Sequence, residues 1–163
     1  MQLLLEMKDK EIPADLSTVN IRTAARAVLF DHSGLIPLLY VSKNQYHKIP
    51  GGGIDPGEDM VEGLKREVRE EVGCAVEITG EVGKILEYRS KWNQLQTSYC
   101  YTGRIASKGE LAFTDEEKQL GFQVVWMTHD EAILRLEQDE PVDYDGKIIR
   151  ERDLVFLRRV RES

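Results

Sequence analysis

The sequence predicts a mixed α/β sandwich, a central mixed sheet with helices packed on its faces. Three observations predict it. Strand-like runs lie on both sides of one amphipathic segment, residues 58–72, in which Met60, Val61, Leu64, Val68 and Val72 repeat at helical spacing. A second helix-like stretch closes the chain. The 163 residues are 41% hydrophobic and 31% charged, which is the composition of a folded domain and excludes a disordered chain. A chain this long buries roughly 70% of the surface it exposes when unfolded, enough for a real core.

Residues 1–12 read as a first strand or an arm, within an N-terminal segment that reaches about residue 20. The apolar run Leu3-Leu4-Leu5 stops at Glu6, with Lys8, Asp9, Lys10 and Glu11 close behind. That is too short for the apolar region of a signal peptide. Residues 24–30 read as a strand and residues 31–34 as a turn. Residues 35–41 supply the next strand. Pro37 lies inside it and cannot donate to a ladder, so an edge or a bulge is expected there. Residues 50–57 hold two prolines and four of the chain's 13 glycines, and read as a loop. The helix over residues 58–72 follows, and Gly73 stands where a helix-ending glycine belongs.

Strand-like runs then cover residues 75–88, broken near Gly80, residues 95–105 and residues 122–127. Thr128-His129-Asp130-Glu131 has the capping-box pattern for a short helix to about Glu137. Residues 147–161 read as the last helix. Ile149, Leu154, Phe156, Leu157 and Val160 are available for the core, and Arg158, Arg159 and Arg161 suit the negative end of its dipole. No repeat, low-complexity tract or linker interrupts the chain, so residues 1–163 are expected to form one domain.

Composition narrows the function. The formal net charge is −7, which argues against a broad basic surface for nucleic acid. No run approaches the ~18 apolar residues of a membrane span. Cys74 and Cys100 make neither a disulfide framework nor zinc-like spacing, which suits a reduced, cytoplasmic compartment.

The informative region runs from Gly52 to Cys74. Glu67, Glu70 and Glu71 stand at i, i+3 and i+4, within a helical arc of about 100°. Gly63, on the same arc, leaves space for a ligand. Carboxylates held together repel one another; a hard divalent cation relieves this, and oxygen ligands favour Mg²⁺ or Mn²⁺. The helix alone equally suits a solvated acidic face, since Lys65 and Arg69 alternate with the acids. The glycine-rich turn before it lets backbone groups approach a ligand closely. Such a turn beside clustered carboxylates suits a metal–polyphosphate site.

Gly52, Glu58, Arg66, Glu67, Val68, Glu70, Glu71 and Gly73 match the ordered pattern G-x5-E-x7-R-E-U-x-E-E-x-G-U, where U is a bulky aliphatic residue. Cys74 stands in the last aliphatic place, a mild departure. The segment resembles the signature of the Nudix (MutT-like) hydrolases. The resemblance implies an α/β/α sandwich with the signature helix against a mixed sheet. It also implies hydrolysis of a nucleoside diphosphate linked to another moiety, by water attack on phosphorus, with Mg²⁺ or Mn²⁺.

Carried over residue by residue, Glu67, Glu70 and Glu71 are metal carboxylates. Glu67 or Glu70 also helps deprotonate water, with neither preferred. Arg66 orients Glu70 and Glu67. Glu58 anchors the turn into the helix, and Gly73 is structural. The Gly52 carbonyl is a further metal ligand, and Gly51 and Gly53 border the substrate. A fourth acidic ligand often comes from a later loop; Asp115, Glu116 and Glu117 are candidates, Glu116 or Glu117 before Asp115, against a solvated charge run. Arg26 reaches phosphate if its strand face points to the site, and is otherwise an exposed strand charge. His47 either meets a base or phosphate or is a surface histidine. Tyr88, Trp92, Tyr99 and Tyr101 form a base or sugar pocket or are packing residues. Cys100 has no assigned chemistry.

No proline lies between Cys74 and Gly121, whereas such a proline marks the family's ADP-ribose hydrolases. This tilts the reading to a nucleoside triphosphate or another nucleotide derivative. A catalytically silent nucleotide-binding or sensor domain is the alternative; within enzymes the alternative is an ADP-ribose or nucleotide-sugar pyrophosphatase. The expected partner is a small nucleotide, without membrane or nucleic acid, and a homodimer is admitted.

Overall fold

The computed structural model describes residues 1–161. Its strands are β1 (Leu3–Lys8), β2 (Asn20–Phe30), β3 (Ile36–Val41), β4 (Tyr46–Lys48), β5 (Gly51–Gly53), β6 (Cys74–Arg89), β7 (Gln94–Lys108) and β8 (Phe122–Met127). Its helices are α1 (Met60–Val72), α2 (Asp115–Gln119), α3 (His129–Gln138) and α4 (Tyr144–Arg161). The larger sheet has the order β1-β6-β7-β2-β5 and the smaller one β4-β3-β8. The mixed sandwich is therefore present, with its strands divided between two sheets.

The N-terminus takes the strand option: β1 runs parallel to β6, with Leu5 opposite Ile85. β6 is continuous through Gly80. Its ladder with β7 shifts register between Ala75 and Val76, Ile78 and Gly80, and Glu81 and Gly83. Bulges, not a break, absorb the irregular stretch. Pro37 lies in the middle strand of the small sheet, opposite Trp126. β4 pairs only with Leu39, Tyr40 and Val41, so the strand has one neighbour where the proline sits.

The glycine-rich turn holds a surprise. Gly51–Gly53 is a strand, antiparallel to β2, with Arg26, Ala25 and Ala24 opposite Gly51, Gly52 and Gly53. The absence of side chains permits this close approach. A Cβ on Gly51 would run into the backbone of Ala25 and Arg26. The loop expectation holds for Pro50 and for the residues between β5 and α1.

α1 starts at Asp59, whose carboxylate accepts from the N–H groups of Val61 and Glu62, both at 3.0 Å. It ends at Gly73, which has φ 69°. α3 carries the expected capping box of Thr128 and Glu131. α4 begins three residues earlier than expected. Its Arg158 donates to Glu137 at 2.7 Å, which ties it to α3; the Arg161 side chain lies outside the described residues.

Alternation along β2 sorts the interior. Ala25, Ala27 and Leu29 pack with Leu64, Val68, Val72 and Cys74, the cluster under α1. Val28 packs on the other side with Ile85, Cys100, Leu154, Phe156 and Leu157, the cluster under α3 and α4. Ile148, not Ile149, is the isoleucine of α4 packed against that cluster. Strand alternation then places Arg22 and Arg26 on the α4 side, with Val28.

Candidate active site

Arg66 organises one end of α1. Its Nε and Nη2 donate to the two oxygens of Glu58 at 2.9 and 3.0 Å. Its Nη1 donates to Glu67 at 2.8 Å and lies 3.7 Å from Glu70. Nη2 also reaches the Gly53 carbonyl at 3.3 Å. One planar guanidinium thus joins the turn, the strand β5 and two of the three signature glutamates. The Arg66 hydrogen bonds, with the N–H of Asp55, hold Glu58 down at about 2. Glu58 anchors the turn into the helix, as its position suggests. The space beside Gly63 is not open for a ligand: a Cβ there would meet the Glu58 carboxylate and Ile54.

The three glutamates divide. A Cβ on Gly52 would fall on the carboxylate of Glu67, so that side chain packs directly against β5. Glu70 is the most open of the three, with its side chain 39% exposed. Glu71 is buried. It accepts from Lys48 Nζ and from the Gly51 N–H, both at 2.8 Å. Burial pushes its pKa up, against the pull of Lys48 and Gly51. Among the described residues no three His, Cys, Asp or Glu side chains form by themselves a metal-holding group. Glu67 and Glu70 come together on Arg66, whereas Glu71 lies behind them.

The remaining candidates scatter. Glu117 is the capping-box residue of α2 and accepts from the Thr114 N–H at 2.7 Å. Among the described residues no hydrogen bond or ion pair joins Glu116 or Glu117 to α1, although the Ala112 N–H bonds the Glu70 carbonyl at 2.9 Å. His47 is buried, so it is not a surface histidine. Its Nδ1 lies 3.0 Å from both oxygens of Asp139, and its ring stacks on Tyr40. It lines an open cavity of about 780 Å³ with Trp126 and Arg135. Its neighbour Lys48 points to Glu71, so alternation along β4 turns His47 away from α1.

Arg26 is also buried, and its Nε and Nη1 have no hydrogen-bond partner among the described residues. Burial, reinforced by the charge of Arg152, lowers its pKa to about 10. Tyr101 packs in the α1 cluster and Tyr88 bonds Asn93, while Trp92 is half exposed. Lys84 lies 5.9 Å from the centre of the Tyr99 ring. Cys74 and Cys100 are buried and unbridged.

Sequence reasoning did not single out Lys48, Asp139 or Arg22. The only local signal for Lys48 was its place two residues before Pro50, in the short strand that leads into the glycines.

A carboxylate-bearing helix laid against a glycine strand at the edge of a mixed sheet defines a Nudix-type domain. The sequence model of the NUDIX domain family matches residues 20–150, and the chain belongs to that family. A curated relative, the "Nucleoside triphosphatase NudI" of Enterobacter sp. (strain 638), is 58% identical over 31 residues. That match covers 19% of this chain and only 22% of the relative. Among solved structures, a MutT protein from Methanosarcina mazei Go1 superposes with TM-score 0.62 at 20% identity, covering 89% of this chain and 96% of that one. A NUDIX hydrolase from Nitrosomonas europaea gives 0.57 at 17% identity, with 80% and 86% covered. At these identities the structural likeness speaks for the fold alone.

Proposed function

We propose that the chain is a metal-dependent pyrophosphohydrolase of the cytoplasm, acting on a nucleoside triphosphate or a related nucleotide derivative. One observation carries the reading: Arg66 gathers Glu58, Glu67 and Glu70 beside β5, the edge strand of the larger sheet. The acidic helix is therefore not merely a solvated face. The named "nucleoside triphosphatase" relative, matched over a short segment, supports the choice of substrate class.

The donor set fits a hard divalent cation. Glu67 occupies the place that a Cβ on Gly52 would take, so the strand and the carboxylate sit close together. The Gly52 carbonyl, Glu67 and Glu70 would hold Mg²⁺ or Mn²⁺ through oxygen atoms. Such an ion supplies charge screening for the phosphates and a more acidic bound water.

The chain's own groups do the rest. Arg66 fixes the direction of Glu67 and limits the swing of Glu70. Either carboxylate can take the proton from water as its oxygen adds to phosphorus and a P–O bond breaks. Glu71 braces β5 from the buried side by holding the Gly51 N–H. No residue of 115–117 is needed for this arrangement, and His47 stands outside it.

The test is turnover of purified protein with Mg²⁺ and Mn²⁺ on nucleoside triphosphates, ADP-ribose, nucleotide sugars and dinucleotides. Glu70→Gln should lower turnover on the order of a hundredfold or more while the fold persists. Near-normal turnover by this variant would remove Glu70 from the site. A folded, metal-loaded wild type that turns over none of the panel would favour a binding or sensor domain.

A further inference from the structure

We propose that the α4-facing side of β2 is an oxyanion site, built by Arg22, Arg26, Arg89 and Arg152, that takes a phosphate-type group. Resting on the hydrolase reading, that group is a phosphate of the substrate that the carboxylate site does not hold.

Glu87 takes both Arg89 and Arg152, and Gln96 links it to Arg22; Arg26 lies near enough to feel Arg152 and Arg22. Burial lowers the Arg22 pKa, and Arg89 and Arg152 lower it further; Arg152 and Arg22 act likewise on Arg26. Three carboxylates touch the group. Arg89 pairs with Glu87 at 2.7 Å and Asp145 at 2.9 Å. Arg152 pairs with Asp153 at 2.7 Å and Glu87 at 3.4 Å. Glu71 and Glu67 act on Arg26 and Arg22 as well, and each already has a cation of its own, Lys48 and Arg66.

The unused donors point the same way. Arg26 Nε and Nη1, Arg89 Nε and Arg152 Nη2 are all buried without a hydrogen-bond partner among the described residues. Arg26 and Arg89 are each 5% exposed and Arg152 is 0% exposed. Buried N–H groups are rarely left unmade, and several on neighbouring guanidiniums need an acceptor with several oxygens. A tetrahedral phosphate has that shape; a single carboxylate has fewer oxygens to offer.

Arg22 provides the entrance. The residue as a whole is exposed, but its guanidinium turns inward, where Nη1 donates at 2.9 Å to Gln96, which is fully buried. Gln96 is fixed in turn by its own donation to Ser98 at 2.8 Å. The other edge of the guanidinium lies over Gly53, where Nη2 comes within 3.0 Å of the place of a Cβ. Alternation along β5 completes the argument. Gly52 faces Glu67, while Gly53 faces Arg22. The glycine strand is the edge of its sheet, with carboxylates on one side and guanidiniums on the other. A polyphosphate lying across that edge meets both.

The experiment titrates inorganic phosphate and pyrophosphate into the full chain in EDTA, by calorimetry and thermal melting. Wild type should bind and melt higher. Arg22→Met should weaken binding by about tenfold or more, and Arg22→Lys by less. Glu70→Gln should bind like wild type. With metal and a nucleoside triphosphate, Arg22→Met should raise KM more than it lowers kcat. Phosphate that competes with the nucleotide identifies the substrate as the source of the anion. Phosphate that binds without competing would overturn that assignment and identify a free anion at the same site. No binding by wild type, or equal binding by both Arg22 variants, would overturn the oxyanion site itself. Because the binding arm contains no metal, its failure is separate from failure of the hydrolase reading, which the Glu70→Gln turnover decides.

Discussion

Lys48 and Glu71 form an ion pair almost out of contact with water, their side chains 11% and 2% exposed. Lys48 also lies 4.8 Å from the centre of the Phe122 ring. Taking one charge away strands the other in a medium that cannot solvate it. Lys48→Met should therefore destabilise the chain by about 3–5 kcal/mol, read from urea unfolding. Adding Glu71→Gln should recover part of the loss, because the uncompensated charge goes with it. A single variant as stable as wild type would show that the pair is not buried in solution. The same pair marks a limit of the sequence. Spacing on one helix places Arg66 beside Glu70, and the family resemblance adds Glu67; its hold on Glu58, before the helix, comes from the structure. Spacing could not show that Glu71 is covered, since the covering residue arrives on β4. His47 is the parallel case: its partner Asp139 stands at the far end of α3, and no pattern near His47 announces it.

The box helix is held at both ends by signals that could be read in advance. Asp59 caps its start and Gly73 its end, because capping is decided by a few neighbouring residues. Gly73 carries a second constraint that is not local. A Cβ there would come within 2.8 Å of the Glu110 and Gly109 backbone, in the segment leading to α2. Gly73→Ala thus meets both a left-handed φ and a fixed neighbour, and should cost about 2–3 kcal/mol in urea unfolding. Gly73→Asn relaxes only the φ problem and should recover little. Full recovery by Asn would show that the close neighbour moves aside easily. Nonlocal pairing also explains why β5 looked like a loop. Three glycines have no periodicity, and only the facing residues Ala24, Ala25 and Arg26 make them a strand. α2 differs: Thr114 and Glu117 repeat the Thr128 and Glu131 pattern, but the acidic run reads as a ligand source or a solvated charge run and hides the cap.

Across the whole molecule, the sheet separates two chemistries. Its α1 side carries the signature carboxylates, and its α4 side carries a buried charged layer centred on Glu87. Hydrophobic periodicity gave the layers, since each helix needs an apolar face. It did not give the buried charges, which in sequence look like ordinary strand and helix surface residues. The layer has a consequence for acid stability. Burial opposes ionisation of Glu87, but Arg152, Arg89 and the hydrogen bond from Ser98 outweigh it and hold the carboxyl at about 2, below its ordinary 4.5. A depressed acid contributes stability that is fully present above the unfolded pKa and is lost as pH falls through the folded one. Urea stability should therefore fall between about pH 4.5 and pH 2 as the unfolded chain takes up protons that the native carboxylates refuse. Glu58, also held at about 2, contributes in the same window. Glu87→Gln should be less stable at neutral pH, because Arg89 and Arg152 lose a partner, and its stability should fall less steeply in acid. An acid slope as steep as that of wild type would show that Glu87 is not among the groups that set it.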